Sequence, residues 1–111
     1  MATKKKRFVP FLSKKQVRFL RGLAHTLDPL VMIGQHGLTP QVVQSTEDVL
    51  RSRELIKVKM QSTADVDRAE TGAKLAKETG SALVQIIGGI LILYRPNKDL
   101  PPDQVIHIPK G

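Results

Sequence analysis

An α/β (α+β) chain, with three helices and a four-stranded mixed sheet, is the fold class that the sequence predicts. Three observations carry it. Segments with helical apolar spacing alternate with short β-branched runs in the order α-β-α-β-α-β-β. The last two runs are joined only by Gly88-Gly89, a pair that suits a hairpin turn. The 111 residues suffice for one core and are too few for two of ordinary size. Strands separated by helices need right-handed parallel crossovers and the final hairpin is antiparallel, so the sheet is mixed.

Each element has a local signature. Residues 1–11 read as a basic flexible arm, with Lys4, Lys5, Lys6 and Arg7 in succession. Ser13-Lys14-Lys15-Gln16 fits a capping box and opens the first helix. Val17, Leu20, Ala24 and Leu27 recur there at core spacing, while Lys14, Arg18, Arg21 and His25 form a second stripe. Phe19 is assigned to the core or its margin. Asp28-Pro29 ends the helix. Leu30–Ile33 is a short apolar strand, followed by Gly34-Gln35-His36-Gly37. Thr39 then caps a second helix with Pro40 at its first position, closing near Arg53.

Glu54 to Met60 reads as a strand in which Ile56, Val58 and Met60 alternate with Lys57 and Lys59, both expected in solvent. A third helix is expected from about Asp65 to Thr79, with Gly80 as its stop. Ala82–Ile87 and Ile90–Tyr94 complete the hairpin, Tyr94 with its hydroxyl in water. Four of the seven prolines fall in residues 96–109, so 97–111 reads as an extended tail, with Val105–Ile108 at most a short edge strand.

Composition narrows the function. The chain carries 18 Lys+Arg against 10 Asp+Glu, a formal charge of +8. Residues 1–27 hold eight basic residues and no acidic one, and the rest of the chain is balanced. A field concentrated in this way selects a polyanion, nucleic acid first and an anionic membrane surface second. Zero cysteines exclude a disulfide framework, a thiolate metal site and a cysteine nucleophile. The three histidines, 25, 36 and 107, lack metal-ligand spacing. No cofactor, metal or small-molecule substrate is expected, and no apolar run reaches the ~20 residues of a membrane span. A cytoplasmic location follows as the expectation. His25 and Asp28 form the only close His–carboxylate pair, better suited to capping a helix end than to catalysis.

The most specific local feature is Gly34-Gln35-His36-Gly37, between a strand and a helix N-terminus. Side-chain-free positions let a sugar-phosphate chain come close, and the helix end favours a phosphate by ~0.3–1 kcal/mol. Strand residues rise about 3.3 Å each and helical ones 1.5 Å. If the first strand runs back antiparallel along the first helix, the loop returns level with Arg18 and Arg21. With three Phe, one Tyr and no Trp, base stacking on a sheet fits poorly, and recognition by backbone and shape is expected.

These residues resemble a known family. Leu12-Ser13-Lys14-Lys15-Gln16, Arg21-Gly22-Leu23-Ala24-His25, Ile33 to Thr39, Glu54 to Lys59, and Val84-Gln85-Ile86-Ile87-Gly88 through Leu91–Pro96 are similar to CRM domains (chloroplast RNA splicing and ribosome maturation) in their single-domain bacterial, YhbY-like form. The resemblance covers about residues 12–96. It implies a fold similar to the C-terminal domain of translation initiation factor three. It also implies RNA binding through the GxxG loop and adjoining basic surface, in bacteria on precursors of the large (50S) ribosomal subunit. The sites so implicated are Lys14, Lys15, Arg18, Arg21, Gly34, Gln35, His36 and Gly37, with Lys4, Lys5, Lys6 and Arg7 as a tether. The Gln35-His36 pair departs from the basic residue common in such loops. Another structured RNA (intron or tRNA), an anionic membrane surface and docking to ribosomal proteins are the competing partners.

Overall fold

The computed structural model describes residues 11–61 and 67–110. Its elements are α1 (Lys14–Ala24), β1 (Val31–Ile33), α2 (Pro40–Ser52), β2 (Leu55–Met60), α3 (Arg68–Thr79), β3 (Ala82–Ile87) and β4 (Ile90–Tyr94), followed by a 3₁₀ turn at Pro102–Gln104. The order and the mixed sheet agree with the sequence-based expectation. The arm at Lys4–Arg7 lies outside the described residues, as do Asp65 and Val66 at the expected start of the third helix.

The sheet runs β1-β2-β4-β3, with β1 and β2 parallel and the other neighbours antiparallel. Alternation along β2 divides the molecule. Ile56, Val58 and Met60 point to one face, where Val31, Ile33, Leu91 and Leu93 join Leu50 of α2 and Leu75 of α3. On the other face, Leu20 and Ala24 of α1 pack on Leu55, Val84, Ile92 and Tyr94. Both glycine signals hold. Gly80 ends α3 in the left-handed conformation (φ +65°), and Gly88-Gly89 turns the hairpin.

The capping box at Ser13 is present in both directions. Ser13 Oγ accepts from the Gln16 amide at 3.1 Å, and Gln16 Oε1 accepts from the Ser13 amide at 3.0 Å. Helix α1 stops at Ala24, short of Leu27, with His25 as the cap whose N–H donates to the Gly22 carbonyl. No His25–Asp28 pair forms among the described contacts; the groups at this helix end are satisfied differently. The Lys57 ammonium donates to the Leu27 carbonyl at 2.9 Å and the His25 carbonyl at 3.4 Å. This corrects the expectation that both strand lysines are simply solvated. Lys57 is half-buried beneath a helix end whose carbonyls carry partial negative charge, while Lys59 is exposed.

Two findings concern the C-terminal region. Val105–Ile108 forms no strand. Ile106 and Ile108 instead pack on the α1 core, and Gln16 Nε2 donates to the Pro109 carbonyl at 2.9 Å. The anchor is Glu54, 3% exposed, whose carboxylate accepts from the Asn97 amide at 2.6 Å and the Ile106 amide at 2.7 Å. A carboxylate here does what a neighbouring strand's carbonyls do in a sheet. Tyr94 is 5% exposed: its ring is buried, while its hydroxyl keeps contact with water. Burial, aided by the nearby Glu54 charge, pushes its phenol up to about 12.

Glu54→Ala is expected to lower stability by about 1–3 kcal/mol in urea unfolding, because two part-buried N–H groups of the tail lose their acceptor. The Tyr94 phenol is protonated in the folded state and ionises more easily when unfolded. Its contribution to stability is therefore complete below pH 10 and is lost as pH rises from 10 through about 12. Titration of phenolate absorbance in the folded protein is expected to give that raised midpoint.

Candidate nucleic-acid interface

The GxxG loop leaves the C-terminal end of β1 as a closed turn. The Gly37 amide donates to the Gly34 carbonyl at 3.0 Å, which puts Gln35 and His36 at the tip, both exposed. The base of the turn is fixed from two sides. Leu38 packs against the core of α2 and α3, and Thr39 Oγ1 accepts from the Val42 amide at 3.2 Å to start α2. The two glycines do different things. Gly37 is buried and has φ +72°, a conformation that side chains resist. At Gly34 an added Cβ meets only Gln61 Oε1, at 3.6 Å, an ordinary contact. Gly37 thus shapes the turn from within, and Gly34 leaves its outer surface low.

Helix α1 does not run back along β1. It lies over β2, β4 and β3 and crosses their strands, since Arg21 reaches Gln85 on β3 (Nη1 to Oε1, 3.2 Å) while the carbonyls of His25 and Leu27 meet Lys57 on β2. The reason is topological: β1 needs β2 as its parallel neighbour, and α1 buries its stripe where the sheet face is widest. Lys14, Lys15, Arg18 and Arg21 are all exposed.

The two ends of the sheet differ. Leu23 and Leu27 of α1 face the start of β2, near Glu54 and Leu55, with Ile106 of the tail. Arg21, Gly22 and His25 face the opposite end, toward Ile87 and Gly88 of the hairpin. The GxxG loop is at this second end, because the Gln61 amide bonds the Ile33 carbonyl and the Met60 amide bonds the Gly89 carbonyl. The basic side of α1 and the loop therefore share one end of the sheet. The strands that carry them, β3 beneath Arg21 and β1 before Gly34, are the two edges, about 14 Å apart at the usual spacing.

Between them runs a strip that the sequence did not mark as a site. The registers align Met32 with Lys59, Lys59 with Ile90, and Ile90 with Ile87, one residue from each strand on the α1 side of the sheet. Met32 is 55% exposed and Ile87 50%. Only register places these four side by side, so spacing along the chain carries no trace of them. Among the described residues, no group of three or more His, Asp or Glu is arranged to hold a metal ion. No described helix is long and apolar enough to cross a membrane.

Comparison with known proteins agrees with this architecture. The CRS1 / YhbY (CRM) domain family matches residues 12–95, nearly the whole described chain. The chain belongs to this family. A CRM relative from Haemophilus influenzae, named "RNA-binding protein", is 46% identical over 88 residues, 79% of this chain and 89% of that protein. "Probable RNA-binding protein YqeI" of Bacillus subtilis is 36% identical over 88 residues, covering 79% of this chain and 92% of its own. The solution structure of the hypothetical protein SAV1595 from Staphylococcus aureus superposes with a TM-score of 0.76 at 36% identity, over 89% of this chain and all of that one. The CRM match ends at Arg95, so the tail that packs on α1 is an addition to the matched region.

The unlike glycines of the loop can be told apart. Gly37→Ala is expected to cost about 1–2 kcal/mol through backbone strain, and Gly34→Ala less than about 0.5 kcal/mol. Thermal unfolding of the two variants checks the difference.

Proposed function

We propose that this protein binds RNA without catalysis, and that its target in the cytoplasm is ribosomal RNA in a precursor of the large (50S) subunit. The observation that carries the reading is the shared end of the sheet, where the exposed tip of the glycine turn and the acid-free basic side of α1 border one strip. The relatives named as RNA-binding proteins support it, and so does a net charge of +8 that resides wholly in residues 1–27.

The proposed division of labour has three parts. Gly34 and the Gln35-His36 tip admit a ribose-phosphate backbone at the loop, while Gly37 holds the turn that presents them. Lys14, Lys15, Arg18 and Arg21 neutralise phosphates along α1, and Lys4, Lys5, Lys6 and Arg7 add a basic tether. Ribosomal proteins are candidate neighbours within the particle. An anionic membrane surface fits less well: the arm is short, and Pro10 interrupts any amphipathic helix there.

Neutralising about four phosphates is expected to give a slope of roughly −3 to −4 for log K against log[salt]. Replacing Arg18 and Arg21 together by Gln is expected to bring that slope nearer zero by about two, with unchanged unfolding, since both side chains are exposed. An unaltered slope removes them from the interface. Crosslinking in cells followed by sequencing of the attached RNA tests the target, and recovery of transfer or messenger RNA in place of ribosomal precursors overturns that assignment.

A further inference from the structure

Gly22 has no structural explanation in the fold. It sits inside α1 without a positive φ, and a Cβ built on it meets nothing within 4 Å. A glycine within a helix weakens it relative to alanine, so neither packing nor backbone geometry accounts for this one. What it borders is an open groove of about 1050 Å³ between α1 and the β3–β4 hairpin. The bare helix wall keeps that groove wide.

The chemistry of the groove is specific. Its floor is aliphatic, with Ile90 and the half-exposed Ile87 on neighbouring strands. Arg21 stands on the wall beside Gly22 and donates to Gln85 Oε1, and the Gln85 NH2 makes no hydrogen bond among the described residues. The Lys57 ammonium adds positive charge from the β2 side, and no acidic side chain lines the groove among the described residues. An apolar floor, an available amide donor and a cationic rim together match a nucleobase that carries its own phosphate.

We infer that this groove takes unpaired ribonucleotides, the base lying on Ile87 and Ile90 beside Gly22 and its phosphate against Arg21. The inference rests on the RNA-binding reading and extends it, because paired bases are stacked inside a duplex and offer no free base face to such a concave site. The strip from Ile87 to Met32 continues the floor toward the GxxG loop. The protein accordingly holds a junction, with a structured segment on the basic helix and loop and an unstacked segment in the groove.

The test compares a single-stranded RNA oligonucleotide of mixed sequence with a hairpin duplex of equal length, by fluorescence anisotropy at one salt concentration. Gly22→Leu fills the groove and is expected to weaken single-strand binding about tenfold while duplex binding changes less than about twofold. Gly22→Ala is expected to melt a few degrees higher than the natural protein while binding the single strand no better. Ile87→Ser removes the floor without touching α1, is expected to repeat the single-strand loss, and carries the test if Gly22→Leu does not fold. Unchanged single-strand affinity in Gly22→Leu and Ile87→Ser overturns the groove assignment, and so does an equal loss on both RNAs. Dimerisation of the natural protein that Ile87→Ser abolishes, with RNA affinity unchanged, gives the face to a second copy and also overturns it. A natural protein that binds neither RNA overturns the RNA reading itself, a result distinguishable from failure of the groove alone.

Discussion

The pairing of β2 with β4, in the register that sets Leu55 against Tyr94 and Lys59 against Ile90, is the constraint on which the working surface depends. Side chains on a strand alternate, so this register sends Ile56, Val58 and Met60 under α2 and α3 and turns Leu55, Lys57 and Lys59 toward α1. A slip of one residue would bury two lysines among aliphatic side chains and expose three core residues. Such a slip is excluded by its cost, and every other placement follows. Lys57 arrives beneath the end of α1, and Lys59 joins Met32, Ile90 and Ile87 in the exposed strip.

Two charged residues of this region act mainly on the backbone. Lys57 donates to the carbonyls of His25, the cap of α1, and of Leu27 in the turn that follows, and so ties this segment to β2. Glu54, one residue before β2, supplies the acceptor for two amides of the C-terminal tail and brings Ile106 and Ile108 onto the α1 core. One lysine and one carboxylate three positions apart thus tie the segment after α1 and the C-terminal tail to the same strand. The wider of the two grooves beside α1 is the one bordered by Arg21, Gly22 and the hairpin. The proposed interface lies on that side, where basic side chains and a concave surface occur together.

Electrostatics and shape act at different ranges on that face. The charge of residues 1–27 acts at distances up to a screening length and favours any nucleic acid. Discrimination requires contact, and in the proposed interface the small features available for it are the low outer surface at Gly34, the aliphatic strip and the bare wall at Gly22. Few aromatic residues are available for stacking, and the aliphatic floor offers an alternative surface for a base.

Local signals were legible along the chain wherever the physics is local. The capping box at Ser13, Thr39-Pro40, the stop at Gly80 and the Gly88-Gly89 turn each depend on a few adjacent residues, and each formed as its residue types require. The family resemblance was legible for a similar reason, since its matched blocks keep order and spacing over residues 12–95. The path of α1 across three strands, the burial of the Tyr94 ring, the hold of Lys57 on the turn after α1 and the return of the tail to Glu54 were not legible. Each joins residues tens of positions apart, and a periodicity records which face of an element is apolar without recording which partner covers it. The sequence by itself determined the elements, their order and the sign of the charge; only the tertiary structure decided which groups share a surface, because that depends on strand register and on the competition of distant groups for the same hydrogen bonds.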